Sequence, residues 1–233
     1  MIDVRPRAVV LRDETRFPVY TRAERLADGV LHIIGVLAAL IAVPVMVTLS
    51  AVWYGDASTI GAAVIYGVSL IAMLTCSASY HMMRAGRKKQ LLRRLDHAAI
   101  YVKIAGTYTL FAVLLAGDAT LPIVAGIWGA ALVGVGFKMV SARRWATFTL
   151  ALYLAMGWAV VVVGAPILKS VSPGTFTLIT AGGVLYTIGV LFLYWERLRF
   201  HNAIWHALVL AATFLIYAGI LNEVARLAPA VVQ

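Results

Sequence analysis

The five histidines of this chain each lie near one end of a hydrophobic segment, where carboxylates and a serine accompany them. They are His32, His81, His97, His201 and His206. Ionisable residues at membrane depth are costly and usually functional. Imidazole nitrogens bind zinc directly, and carboxylates can orient a metal-bound water. The gathering of these residue types in one layer predicts a polar site and favours a zinc site.

The spacing of the polar residues places them on shared helix faces. Glu24, Asp28 and His32 precede the first hydrophobic segment at successive four-residue intervals. Ser77 and His81 end the second segment with the same interval. Residues four apart are neighbours on one face of a helix. At a rise of about 1.5 Å per residue, these side chains lie within roughly 10 Å of one membrane boundary.

The third and last segments add further polar groups. The third opens with Asp96, and the last opens with Asn202 and His206, which are four residues apart. His201 precedes His206 by five residues, and five residues turn a helix by about 500°, so His201 points roughly 140° away. His201 is therefore interpreted as an interfacial residue, as is His97.

Lys103 lies seven residues after Asp96, two helical turns deeper on roughly the same face. A lysine at that depth is expected to point inward and meet a carboxylate or water, and Asp96 is the predicted partner. Simpler explanations exist for single residues. Asp96 could cap a helix, and Ser77 could bond to its own helix carbonyl. Glu24 and Asp28 could be interfacial, but the gathering of all these groups in one layer favours a site.

The elements that carry these residues are hydrophobic helices. Of the 233 residues, 62% are hydrophobic and 13% are charged, and the mean hydropathy is +0.91. A soluble domain of this length could not bury so much apolar surface. Stretches of about twenty apolar residues cross a ~30 Å hydrocarbon core as helices, and continuous runs lack the alternation of a barrel. The predicted spans are Ile33–Trp53, Ile60–Tyr80, Ala98–Ala116, Leu121–Met139, Ala146–Leu168, Phe176–Tyr194 and Ala203–Leu221.

Lysine and arginine are concentrated in alternate connections, which sets the orientation. The basic segments are the leader Met1–Arg25, Arg84–Arg94, Ser141–Trp145 and Glu196–His201. By the positive-inside rule the N-terminus is cytoplasmic, and seven crossings place the C-terminus outside. The sequence thus predicts an all-α, seven-transmembrane helix bundle. Residues 1–20 form an arginine-rich cytoplasmic leader, residues 21–225 the helical domain and residues 226–233 an external tail.

The net charge of +10 lies mostly in these cytoplasmic segments, where it matches the orientation and anionic lipid. It therefore does not require nucleic acid as a partner. The expected partners are the lipid bilayer and a lipid substrate or ligand, and the expected location is a bacterial inner membrane. Cys76 is the only cysteine, so the chain has neither an intramolecular disulfide nor a cysteine cluster for zinc.

Four motifs resemble the hemolysin III family: E-x3-D-x3-H, S-x3-H, LDHAAIYxxIAGTYT and NAIWHxxVL. That family is grouped with the progestin and adipoQ receptors, in a superfamily that includes alkaline ceramidases. The resemblance runs from Glu24 to about Gly219 and implies a seven-helix bundle with a zinc site near the cytoplasmic face. It implies histidine ligands from S-x3-H and a final H-x3-H, with the serine and the third-span aspartate beside the zinc-bound water. The matching positions are Ser77, His81, Asp96 and His206.

One position departs from the family pattern. Asn202 stands where the first histidine of H-x3-H is expected, with His201 one place earlier. Asparagine is a poorer zinc ligand than imidazole. His32 could supply the third nitrogen, helix distortion could bring His201 inward, or the site could bind metal weakly or not at all. We favour His32, because it shares the polar face with Glu24 and Asp28. The predicted zinc ligands are His81, His206 and His32, with Asn202, Glu24, Asp28 and Lys103 as supporting or substitute groups.

Two functions from different classes follow. The first is a zinc-dependent hydrolase of a lipid amide or ester, in which Asp96 handles the proton and Ser77 orients water. The second is a non-enzymatic membrane regulator or sensor, or a hemolysin-like cytolysin. A lateral opening from lipid to Asp96 favours the enzyme, and a closed, metal-free cluster favours the regulator. An ion pathway through Lys103 is disfavoured, because the outer halves of the spans offer few charged partners.

Cysteine accessibility in sealed cells tests the predicted orientation. A cysteine placed in the Arg84–Arg94 connection should react only with a reagent that crosses the membrane. A cysteine at Gln233 should react with an impermeant reagent added from outside, because seven crossings separate it from the cytoplasmic leader. Labelling of the tail only from inside would contradict the seven-span topology.

Overall fold

The structure, a computed structural model, describes residues 20–84, 86–140 and 145–228, apart from the Val163 side chain. Within these ranges the chain is helical, with one 3₁₀ turn at Gly117–Ala119 and no strand. The helices are α1 (Arg22–Trp53), α2 (Ala57–Met82), α3 (Arg87–Leu115), α4 (Thr120–Val140), α5 (Ala146–Val163), α6 (Ala165–Ser170), α7 (Pro173–Tyr194) and α8 (His201–Arg226). Most of the predicted leader, most of the Ser141–Trp145 connection and the end of the tail lie outside the described residues.

In the described part of the chain, six helices are long and apolar enough to cross a membrane by length and composition. This confirms the predicted all-α membrane bundle. The predicted fifth span, Ala146–Leu168, is divided at Gly164 into the shorter apolar helix α5 and the short α6. Pro166 lies in the first turn of α6, where its missing N–H prevents one continuous helix. The count of seven crossings stays a prediction.

Two helices begin well before the hydrophobic runs that predicted them. α1 begins at Arg22, ahead of the run from Ile33, because Thr21 and Glu24 form a capping box. α3 likewise begins within the basic connection that precedes its hydrophobic run. Polar residues that lie ahead of these runs, such as Asp28, are therefore held on regular helices.

Most consecutive helices pack against each other, and α3 is central to the bundle. This helix contacts α2, α4, α5 and α8, while α1 packs against α2 and α8. The end that holds the start of α1 and the α2–α3 and α7–α8 connections is called the basic end. There the Arg94 guanidinium donates to the Met139 carbonyl at 2.9 Å. At the opposite end the Tyr54 hydroxyl donates to the Val224 carbonyl at 2.9 Å, so both ends are held in register.

The contact between α3 and α4 depends on a glycine. Tyr101 of α3 is fully buried, and its hydroxyl donates to the Thr149 carbonyl of α5 at 2.5 Å. The Tyr101 ring lies so close to Gly134 of α4 that a Cβ there would overlap it. Small residues permit such close approach of helices in membranes. The contact fixes α4 and α5 relative to the helix that carries Asp96.

Replacing Gly134 with alanine should destabilise the bundle by about 1–3 kcal/mol, because the new Cβ overlaps a buried ring. Gly136→Ala is the matched control, since nothing lies within 4 Å of a Cβ at that position. Replacing glycine with alanine raises the helix propensity by the same amount in both variants. The difference between their thermal unfolding midpoints in detergent therefore isolates the overlap. Equal midpoints would show that Tyr101 does not pack on α4 as described.

Candidate metal centre

Asp28 lies at the centre of a buried histidine cluster at the basic end. Its Oδ1 is 2.5 Å from Nδ1 of His206, and its Oδ2 is 3.3 Å from Nδ1 of His81. The same Oδ2 is 3.7 Å from Nε2 of His32. α1 carries Asp28 and His32 one turn apart, α2 ends with His81, and α8 brings His206. Three helices therefore converge on one carboxylate.

The histidine rings pack against one another around this carboxylate. The ring centre of His206 is 4.4 Å from those of His32 and His81, which stack on each other at 5.1 Å. One ligand atom from each of these histidines and from Asp28 lies within 4.8 Å of the others. Ligands at about 2.0–2.2 Å from one zinc ion lie about 3–4 Å apart, so small side-chain shifts bring all four to one ion.

The donor set suits zinc in chemistry as well as in spacing. Neutral imidazoles and a carboxylate are among the ligands that zinc takes in proteins. Nε2 of His32 is buried and has no hydrogen-bond partner within the described part of the chain. Buried polar atoms are nearly always paired, so an unpaired ring nitrogen aimed at Asp28 requires an explanation. A metal ion held by the cluster would pair this nitrogen.

Asn202 lies within the cluster, one turn before His206 on α8. Its Nδ2 donates to Oδ2 of Asp28 at 3.0 Å and is 3.3 Å from Nδ1 of His81 and 3.4 Å from Nδ1 of His206. The Asn202 amide thus donates an N–H bond to the Asp28 carboxylate. A histidine at this position would instead have a ring nitrogen lone pair available for a metal. The sequence predicted Asp28 as a supporting group, whereas the structure places it at the centre with Asn202 beside it.

Ser77 and Asp96 lie beside the cluster, in the wall of the same cavity. Ser77 lies near Asp96, and Asp96 is buried. The buried Lys138 of α4 is close enough to Asp96 to act on it electrostatically. Lys138 was not among the predicted site residues, although it lies within the predicted span Leu121–Met139 and a lysine within a span also singled out Lys103.

Lys103 does not pair with Asp96, so this prediction was wrong. Its Nζ donates to the Tyr186 hydroxyl of α7 at 3.1 Å and lies 5.1 Å from the centre of the Tyr186 ring. Lys103 and Asp96 share a face of α3, but two turns separate them by about 10 Å along the helix axis. The lysine therefore reaches sideways to α7, away from the histidine cluster.

Glu24, predicted as a supporting group, joins the start of α1 to the start of α8. Its Oε2 accepts the N–H of Thr21 at 2.8 Å, and its Oε1 accepts the N–H of Phe200 at 3.1 Å. Phe200 has a φ of 61°, in a left-handed region that costs a non-glycine residue about 1–2 kcal/mol. The bond to Glu24 holds this turn, from which α8 carries Asn202 and His206 into the cluster.

The two remaining histidines lie outside the cluster. His201 is buried, and its Nδ1 lies 3.2 Å from the Phe192 carbonyl. The undistorted start of α8 therefore turns His201 away from His206, as its five-residue spacing predicted. Nδ1 of His97 is buried and, among the residues that the structure describes, has no hydrogen-bond partner.

A cavity of about 1030 Å³ opens at the basic end, and the cluster lines it together with Ser77 and Asp96. This volume is at the upper end of the ~300–1,000 Å³ typical of small-molecule sites. Tyr20, which precedes α1, also lines the cavity. Burial, followed by the nearby Tyr80 and Asp28, raises the pKa of Tyr20 above its usual range. Its phenol therefore stays neutral at the cavity wall.

Comparison with known proteins gives one consistent result. The model of the family described as haemolysin-III related matches residues 20–217. The chain is 36% identical over 196 residues to the Hemolysin-3 homolog of Bacillus subtilis (strain 168), which covers 84% of this chain and 92% of that protein. It is 35% identical over 201 residues to Hemolysin-3 of Bacillus cereus, which covers 85% and 90%. No solved structure matches the chain.

Purified protein should contain about one zinc ion per chain, and His32→Ala, His81→Ala and His206→Ala should each lower that content strongly, because each variant leaves only two imidazoles and the Asp28 carboxylate of the four groups. His201→Ala is the matched control, since this buried histidine begins α8 but faces Phe192. Elemental analysis of protein purified without chelators measures the content. Zinc that survives His32→Ala but not His201→Ala would show that the third nitrogen was assigned to the wrong residue.

Proposed function

The chain belongs to the haemolysin-III-related family, and we propose that it is a zinc-dependent membrane hydrolase that cleaves the amide or ester bond of a lipid. The observation that carries the proposal is a single cavity in which four metal-ligating groups, a carboxylate and a serine lie together. A metal, a proton acceptor and a group that orients water are the components that hydrolysis of a carbonyl compound needs.

In this proposal the metal is held by His32, His81 and His206, with Asp28 as the fourth group. A bound zinc would supply the Lewis acid that polarises the carbonyl and activates water. Asp28 also fixes the rings, since its two oxygens face nitrogens of all three histidines. Asn202 donates to Asp28 at 3.0 Å and thereby orients the carboxylate. Such supporting hydrogen bonds commonly set the direction of metal ligands.

Asp96 is the proposed proton carrier. Its carboxylate takes a proton from the attacking water and returns it to the departing amine or alkoxide, which is the work of a general base and acid. Ser77, which lies near Asp96, holds both the carboxyl group and the water in place. The buried Lys138 is within electrostatic range of Asp96 and adds a positive charge to the same cavity wall.

The surroundings of the cavity indicate the class of substrate. The outer face of α1 next to the site exposes Leu26, Val30 and Ile33, as expected for a surface in contact with lipid. A substrate in the same leaflet reaches the site without leaving the bilayer. The basic segments indicate that this leaflet is cytoplasmic. Since both relatives named above are bacterial, we place the protein in a bacterial inner membrane.

The second candidate is a non-enzymatic membrane regulator or cytolysin, and one observation favours it. Asp28 already accepts one hydrogen bond from Asn202 and pairs with His206. The cluster can therefore join α1 to α8 as a polar contact without an ion. The names of the two relatives refer to haemolysis. A protein that retains its fold and activity without zinc would favour this candidate.

Asp96→Asn should keep the fold and the zinc content but lower hydrolysis by about 10²–10⁴-fold, because an amide cannot accept a proton from water. Asp118→Asn is the control, since Asp118 is exposed at the opposite end of the bundle. The assay is release of fatty acid from a panel of lipid amides and esters, in detergent and in bilayers. Equal rates for Asp96→Asn and wild type would remove the proposed base. No release from any lipid by zinc-loaded protein would contradict the hydrolase.

A further inference from the structure

Lys103 is a buried cation whose only partner in the described chain is a tyrosine. Its side chain is 4% exposed. Nζ donates to the Tyr186 hydroxyl at 3.1 Å, and that hydroxyl is in turn 2.6 Å from Oγ1 of Thr213 on α8. A lysine ammonium carries three N–H donors, so two remain for a ligand. Lys103, Tyr186 and Thr213 are named the lysine triad.

A buried ammonium requires an anion. Among residues 20–84, 86–140 and 145–228, no carboxylate forms an ion pair with Lys103, and its ammonium group hydrogen-bonds to Tyr186 alone. Neutral hydroxyls compensate only part of the cost of removing a charge from water. Charged side chains inside membrane proteins pair with one another or mark a ligand pathway. The missing partner of Lys103 is therefore expected to be a ligand.

The lysine triad adjoins an apolar cavity of about 270 Å³, which Lys103 and Tyr186 help to line. The remaining wall is almost entirely aliphatic and aromatic, as in Ile104, Phe111 and Ile216. A cavity with one cationic corner and an apolar body fits a molecule with one anionic group and a hydrocarbon tail.

This cavity reaches the outer surface of the bundle between α5 and α7. Trp158 and Val161 of α5 and Phe176 of α7 line it, and all three are exposed at the surface that faces lipid. The Trp158 indole donates to the Thr187 hydroxyl of α7 at 3.1 Å, and both groups lie at this opening. The route into the cavity therefore leads from the hydrocarbon of the bilayer and not from water.

We propose that the lysine triad binds the carboxylate of a lipophilic monocarboxylic acid, with the hydrocarbon tail of the acid in the apolar cavity. A carboxylic acid has a pKa of about 4 and crosses hydrocarbon readily when protonated, whereas a phosphodiester keeps its charge and stays at the interface. The carboxylate then accepts N–H bonds from Lys103 and an O–H bond from Tyr186. Charge-assisted bonds of this kind are about twice as strong as neutral ones.

The lysine triad and the metal-ligating cluster are separate sites, so the proposal goes beyond the hydrolase. Lys103 lies about 10 Å deeper along α3 than Asp96. The two cavities nevertheless adjoin, because Met73, Ile100 and Tyr153 line both. An acid in the deeper cavity would contact the floor of the larger one.

Binding of radiolabelled oleate to the full chain, reconstituted in nanodiscs of neutral phospholipid, tests the proposal. Wild type should bind oleate saturably. Lys103→Met should weaken binding by at least about tenfold, because the carboxylate then has no buried cation. Lys103→Arg should largely restore it, and Tyr186→Phe should weaken it severalfold by removing one hydroxyl. His81→Ala should leave it unchanged, which separates this site from the metal-ligating cluster.

Competition between labelled oleate and unlabelled compounds identifies which part of the ligand the site recognises. Unlabelled oleate should displace the label, whereas methyl oleate, which has the same chain without a charge, should not. Displacement by methyl oleate equal to that by oleate would overturn the proposal, and so would loss of binding in His81→Ala. Thermal unfolding confirms that each variant folds. If Lys103→Met does not fold, Thr213→Val takes its place and should also weaken oleate binding. Unchanged oleate binding in both Tyr186→Phe and Thr213→Val would overturn the proposal.

Discussion

The shared carboxylate of Asp28 is the interaction on which the basic end of the structure depends. Its two oxygens face nitrogens of His32, His81 and His206, which lie on three different helices. A buried carboxylate is strongly unfavourable unless hydrogen bonds or charges compensate it. The cluster can therefore form only when α1, α2 and α8 are in register. Glu24 supports the same register, because it binds the backbone of Phe200 where α8 begins.

Much of this arrangement could be predicted from the sequence, because hydrophobic runs define membrane helices and four-residue spacing defines their faces. The spacing correctly grouped Asp28 with His32 and turned His201 away from His206. It could not give the rotation of one helix relative to another. That rotation decides that Lys103 reaches Tyr186 and leaves Lys138 beside Asp96. The break at Gly164 was also not predicted, because the hydrophobic run continues across this residue although the helix is interrupted there.

The bundle places two polar groups at different depths of one hydrophobic body. The histidine cluster lines a wide cavity that opens at the basic end, and Lys103 lies in a narrower cavity that opens toward lipid between α5 and α7. The two cavities share wall residues, among them Met73, Ile100 and Tyr153. A hydrolase of lipids would have its carbonyl chemistry in the first cavity and an acyl-binding region within reach in the second. The family relationship gives the fold and the motif, while these residues give the chemistry that is proposed.

The central claim is that Asp28 and the three histidines hold zinc, and X-ray absorption at the zinc edge of the purified protein tests it most directly. The expected spectrum shows nitrogen and oxygen neighbours at about 2.0–2.2 Å, with the outer scattering that imidazole rings produce. No sulfur neighbour is expected, since Cys76 is the only cysteine and is not part of the cluster. A zinc-free protein, or zinc surrounded by oxygen alone without imidazole scattering, would contradict the claim.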